Sequence, residues 1–145
     1  MEKKKLNELF INKPVHSIRE LKECPMLIEK LIRELGKTTS LSENELYELQ
    51  VAVTEICYNG IEHGNRFSPD KEVRVSYLIL DDRVIFKIED EGEGFDPQNI
   101  PDPTKKENIL RPRGRGIFLA RRFSDELIFD DRGRRVFIIK KIKKK

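Results

Sequence analysis

The stretch from Glu43 to His63 admits one regular structure, and the rest of the chain is organised around it. Leu46, Leu49, Val53, Ile56, Cys57 and Gly60 fall on one arc at about 100° per residue. Glu55, Asn59, Glu62 and His63 fall on the opposite side. Ser42-Glu43-Asn44-Glu45 precedes this helix as a capping box, in which Ser42 caps and Glu45 reaches back. Gly64-Asn65 follows as a stop made of residues that tolerate the left-handed region.

An earlier helix is predicted from Pro25, which suits a first turn, along the stripe Met26, Leu27, Leu31, Ile32 and Leu35 to a stop at Gly36. Residues 14–21 fit a strand or a frayed helix, and residues 38–42 a loop. Beyond the long helix, residues 73–79 and 84–88 are rich in β-branched and aromatic side chains, with Asp81-Asp82 between them at hairpin spacing. Residues 95–112 carry Pro97, Pro101, Pro103 and Pro112 and few large apolar side chains, the composition of a long loop or lid. A short helix is expected over residues 116–123. A second hairpin follows, with strands at 127–129 and 136–139 around Asp131-Arg132-Gly133. Two or three helices against a mainly antiparallel, mixed sheet make a two-layer α+β sandwich with helices on one face.

The 145 residues suit a single domain with a hydrophobic core. No run approaches the length of a membrane helix, and Met1-Glu2-Lys3-Lys4-Lys5 lacks the apolar stretch of a signal peptide, so a cytoplasmic protein is expected. Cys24 and Cys57 make no framework and read as reduced thiols. The net charge of +3 conceals an asymmetry: residues 111–145 hold 13 Lys or Arg against four acids, a local charge of +9. Such an end suits nucleic acid, a phosphorylated ligand, an acidic partner, or simply a solvated tail over Lys140–Lys145.

Three segments carry chemistry. Glu55 and Asn59 share a helix face, with His63 one turn further on. An Asn carbonyl offers Mg²⁺ a hard oxygen without adding charge beside phosphates, and Glu55 can take a proton from an attacking hydroxyl. Asp90 closes the second strand ahead of Gly92 and Gly94, where a carboxylate can accept from an exocyclic amine while the glycines permit close approach to a flat ring. Arg113-Gly114-Arg115-Gly116-Ile117 leads into the short helix, where backbone N–H groups and arginines favour phosphate oxygens. Alone, these segments also fit a solvated polar stripe, a plain turn and an ordinary Gly-x-Gly. The zinc, EF-hand and Walker patterns are absent. All three in this order describe an ATP site.

Together they resemble the three boxes of the gyrase, heat-shock chaperone, histidine kinase and mismatch-repair ATPases, the Bergerat fold. The run His63-Gly64-Asn65-Arg66-Phe67-Ser68-Pro69-Asp70-Lys71, with Asp90-x-Gly92-x-Gly94-Phe95-Asp96-Pro97 and Gly114-Arg115-Gly116-Ile117-Phe118-Leu119, is similar to the anti-sigma factor serine/threonine kinases. The resemblance covers residues 41–139 of a single ATP-binding domain, with the lid between the sheet and the last helix.

It implies that ATP or ADP binds with Mg²⁺. Glu55 is then the general base, Asn59 the Mg²⁺ ligand and Asp90 the adenine acceptor. Gly92 and Gly94 shape the base pocket, and His63 closes the first motif on the cofactor side. Arg113, Gly114, Arg115, Gly116 and Ile117 wrap the phosphates. It also implies transfer of the γ-phosphoryl group to a small anti-sigma antagonist, binding of a sigma factor, and a homodimer formed through the N-terminal part, with no direct nucleic-acid or membrane partner. A non-catalytic nucleotide-binding or partner-binding regulatory module and a histidine-kinase-type catalytic domain are the alternatives. The family often carries Gly-Thr at the start of its last strand, where this chain has Gly133-Arg134-Arg135-Val136, and Arg113 stands where small residues are common.

Overall fold

The protein's structure, a computed structural model, describes residues 2–94 and 116–142. The long helix forms as its capping box dictates. Glu45 N–H donates to Ser42 Oγ at 3.1 Å, and Ser42 N–H donates to Glu45 Oε1 at 3.0 Å. In chain order the helices are α1 (Lys3–Glu8), α2 (Glu23–Thr38), α3 (Glu43–Asn59) and α4 (Gly116–Phe123). The strands are β1 (His16–Ile18), β2 (Val73–Ile79), β3 (Arg83–Glu89), β4 (Glu126–Asp130) and β5 (Arg135–Lys141). The open segment 14–21 thus resolves as a short strand, paired antiparallel with β2.

The strands form one sheet in the order β1-β2-β3-β5-β4. Every described pairing is antiparallel, so the sheet is not mixed as expected. Both hairpins form where the turn residues placed them. Leu80 N–H donates to Arg83 O at 2.8 Å across Asp81-Asp82. After β3 the chain passes through α4 to the edge strand β4 and returns as β5 beside β3. That route brings the end of β3 against the turn between β4 and β5, with Glu89 opposite Arg135.

Period-two alternation splits the sheet into two apolar faces. Val73, Val75, Val84, Phe86, Ile88, Val136 and Ile138 pack under α2, α3 and α4 with Ile28, Leu31, Leu35, Leu49, Val53, Ile56 and Ile61. The other face, expected to be free of helices, is partly covered. Leu6 of α1 is 0% exposed and clusters with Phe10, Leu78, Ile85, Phe137 and Ile139. Phe10 and Phe137 lie 5.9 Å apart between ring centroids, and Lys87 donates to Asn7 Oδ1 at 2.9 Å. The charged run Lys3-Lys4-Lys5 hid this helix from its periodicity.

Two helix ends differ from expectation. Gly36 does not stop α2, which continues to Thr38 and is closed by Thr39 donating to Leu35 O. Gly36 instead admits Leu46 of α3, whose Cδ1 lies 3.2 Å from where a Cβ would stand. The second difference lies at the end of α3 and shapes the site.

Candidate functional site

After Asn59 the helix widens into a π turn, Gly60–Gly64, closed by Asn65 N–H donating to Gly60 O at 2.7 Å. Asn65 stays on the right-handed side (φ −82°), and the left-handed residues are Arg66 and Phe67, at φ 51° and 58°. The stop expected at Gly64-Asn65 is therefore displaced by two residues. A π turn takes more residues per revolution than an α turn, and such turns cluster at functional sites. Here it breaks the line expected to join Glu55, Asn59 and His63. Glu55 and Asn59 remain one α turn apart and half-buried, while the His63 imidazole is exposed and 3.8 Å from Glu62.

The π turn exists because of what it packs against. A methyl group at Gly60 would come within 2.9 Å of Val73, and one at Gly64 within 2.6 Å of Asp90 Oδ2. A side chain at Gly92 would collide with the Gly64 carbonyl. Gly94 takes φ 89° and backs onto the carbonyl of Arg132, which a Cβ would approach to 2.5 Å. The space these glycines vacate is filled by the chain itself. They let the two turns stack.

Two side chains tie the stacked turns together. Asn65, 3% exposed, accepts Glu91 N–H at its Oδ1 at 2.8 Å. Arg134 donates from Nη1 to Gly92 O at 3.1 Å, and its own carbonyl accepts Asp90 N–H at 2.9 Å. Read from the sequence, Asn65 is only a helix stop and Arg134 only a departure from the family's Gly-Thr pair. A buried amide directly after a glycine was the overlooked signal, since buried polar groups need partners.

Asp90 sits at the centre of this arrangement. Its Oδ1 accepts Gly92 N–H at 2.8 Å. Burial pushes the carboxyl up to about 6, against the opposing pull of the Gly92 N–H, Arg134 and Lys71; Asp131 pushes it further up. The next residue back behaves oppositely. Burial would raise Glu89, but Lys87 at 3.0 Å and Arg135 at 3.2 Å hold it below the usual range.

The start of α4 closes the site from the other side. Gly116 packs on α3 so tightly that a Cβ would stand 3.3 Å from Glu55 Oε2. Ile117 is buried in the core. Arg113, Gly114 and Arg115, and the lid expected over residues 95–112, lie outside the described residues. Next to Glu55 a groove of about 260 Å³ runs between Pro25 of α2 and Tyr47, Val51, Thr54 and Tyr58 of α3.

Among the described residues no group of three His, Cys, Asp or Glu side chains could cage a metal by itself. The side-chain oxygen of Asn59 is instead a hard donor of the kind that suits Mg²⁺ when phosphates complete the shell. Neither cysteine takes part. Cys24 and Cys57 are buried and free, and Cys57 is raised well above its usual range by its hydrogen bond to Cys24 and by burial.

Residues 24–140 match the family model of the histidine kinase-like ATPase domain. The chain is similar to the serine-protein kinase RsbW of Staphylococcus epidermidis, 30% identical over 130 residues that cover 84% of this chain and 82% of that protein. It is also similar to the serine-protein kinase RsbW of Listeria monocytogenes, 28% identical over 118 residues that cover 77% and 75%. The protein of the same name from Bacillus subtilis is 28% identical over 90 residues.

Proposed function

The chain belongs to the histidine kinase-like ATPase domain family, and on that premise we propose that it is an ATP-dependent serine/threonine protein kinase of the anti-sigma-factor type. It transfers the γ-phosphoryl group of ATP to a small anti-sigma antagonist and controls a sigma factor by binding it. The same reading makes it a cytoplasmic protein and a homodimer through its N-terminal part. The observation that carries the proposal is the packing of Glu55 against Gly116 at the start of α4, with the Asp90 turn stacked on the π turn that ends the same helix, in a chain similar to proteins named serine-protein kinases.

Each residue then has a defined task. Asp90 accepts the exocyclic amine of adenine, which requires its ionised form. The start of α4 offers N–H groups to phosphate oxygens, with Gly114, Gly116 and the arginines at 113 and 115 drawing the chain close. Asn59 holds Mg²⁺, which neutralises charge on the transferring group when bound. Glu55, half-buried at the head of the groove, takes the proton of the incoming serine or threonine hydroxyl. Phosphorylation places negative charge at the interface and releases the antagonist.

The test is label transfer from γ-labelled ATP to a small protein of the source cells. Wild type should label the acceptor on serine or threonine. Glu55→Gln should lower the rate by roughly 100-fold or more while leaving ADP affinity in place. Equal labelling by both proteins would remove Glu55 from its role. A wild type that binds ADP and its partner but labels nothing would leave a regulatory binding module.

A further inference from the structure

Arg134 grips both ends of the Asp90–Gly92 turn from the opposing hairpin. Its carbonyl accepts Asp90 N–H at 2.9 Å, and its Nη1 donates to Gly92 O at 3.1 Å. Its guanidinium is itself braced by Asp131, through the carbonyl at 3.3 Å and Oδ1 at 3.4 Å. A long, flexible cation is thereby fixed on the turn that carries the half-buried Asp90 carboxylate. The π turn meets Asp90 with Gly60 and Gly64, which bring no charge. The ionisable groups acting on Asp90 are Arg134 and Lys71, which favour its charged form, and Asp131, which opposes it.

On the nucleotide-site reading above, we propose that Arg134 is a positioning residue for base recognition: it clamps the Asp90–Gly92 turn and holds the Asp90 carboxylate in its charged, accepting form.

A protonated carboxyl presents an O–H to the amine and loses much of its value as an acceptor. Burial already carries Asp90 to about 6 with Arg134 in place. Removing the guanidinium raises it further, because a neighbouring positive charge favours the ionised acid. Nucleotide binding should then weaken at neutral pH and recover in alkaline solution.

The experiment follows the Asp90 carboxyl carbon by NMR in the nucleotide-free protein, and ADP affinity, from about pH 5 to about pH 9, for wild type, Arg134→Gln and Arg134→Lys. Both midpoints should rise by roughly half a unit or more in Arg134→Gln and return most of the way in Arg134→Lys. ADP affinity of Arg134→Gln should fall several-fold near neutrality. A merely structural role would weaken binding equally at every pH and would not move the midpoints. Coincident midpoints in wild type and Arg134→Gln overturn the proposal. A wild type that binds no ADP at any pH refutes the nucleotide site and the role with it. Binding with an unmoved midpoint refutes the role alone.

Discussion

Asp90 lies at the end of β3 with its carboxyl half-buried against Gly64, and burial raises its pKa to about 6. A folded-state value above that of the unfolded chain means that the native state prefers the protonated acid. The associated stability is fully present below about pH 4 and lost as pH rises through about 6. At neutral pH, Asp90 therefore opposes folding, while its charge is what the proposed adenine contact requires. Asp90→Asn keeps an oxygen for Gly92 N–H and removes the buried charge. It should raise the unfolding free energy near pH 7.5 by about 1–2 kcal/mol after solvent screening, and melt a few degrees higher. Near pH 4 the two proteins should melt together, and the variant should bind no ADP. A variant less stable than wild type at neutral pH would show that the carboxylate is held by favourable charges, not tolerated by the site.

Among the elements, the legible ones were those whose signals are local. The capping box fixed the start of α3, and turn residues fixed both hairpins, because each depends on neighbours in sequence. The end of α3 was not legible. The π turn packs against Val73, Asp90 and Gly92, which arrive from other parts of the chain, so an α-periodic projection does not reveal it. The same cause concealed Asn65 and Arg134, whose partners lie 26 and 42 residues away. Glu55, Asn59 and Asp90 stand out in the sequence by chemical type, at helical spacing or at a strand end, and their roles belong to the proposed function. Helix α1 was hidden because only Leu6 of its six residues is apolar. Its packing on the second sheet face makes a sharp prediction. Leu6→Ala should cost about 2 kcal/mol or more in urea unfolding, as expected for a fully buried leucine. A loss below about 0.5 kcal/mol would mean that α1 does not cover the sheet in solution.

Across the whole molecule, the antiparallel order β1-β2-β3-β5-β4 sets the site. It places the end of β3 beside the β4–β5 turn and against the π turn, and α4 against α3 at Glu55. The basic C-terminal part takes on a different meaning in this frame. Lys140, expected in a solvated tail, is buried and donates to Glu48 and to Phe123 O, both at 3.1 Å, securing the end of α4 to α3. Arg135 pairs with Glu89 and Asp130, and Arg121 lies 5.5 Å from the Phe129 ring centroid. Several of these charges are thus engaged within the fold. Thermal unfolding with and without Mg²⁺-ATP, on wild type and Asn59→Ala, decides whether the assembled site holds nucleotide. At ligand about 100 times its dissociation constant, wild type should gain about 2.7 kcal/mol and melt roughly 5–10 °C higher. That rise should require Mg²⁺ and vanish in Asn59→Ala. An unmoved wild-type melting point at millimolar Mg²⁺-ATP would contradict the nucleotide site and the kinase built on it.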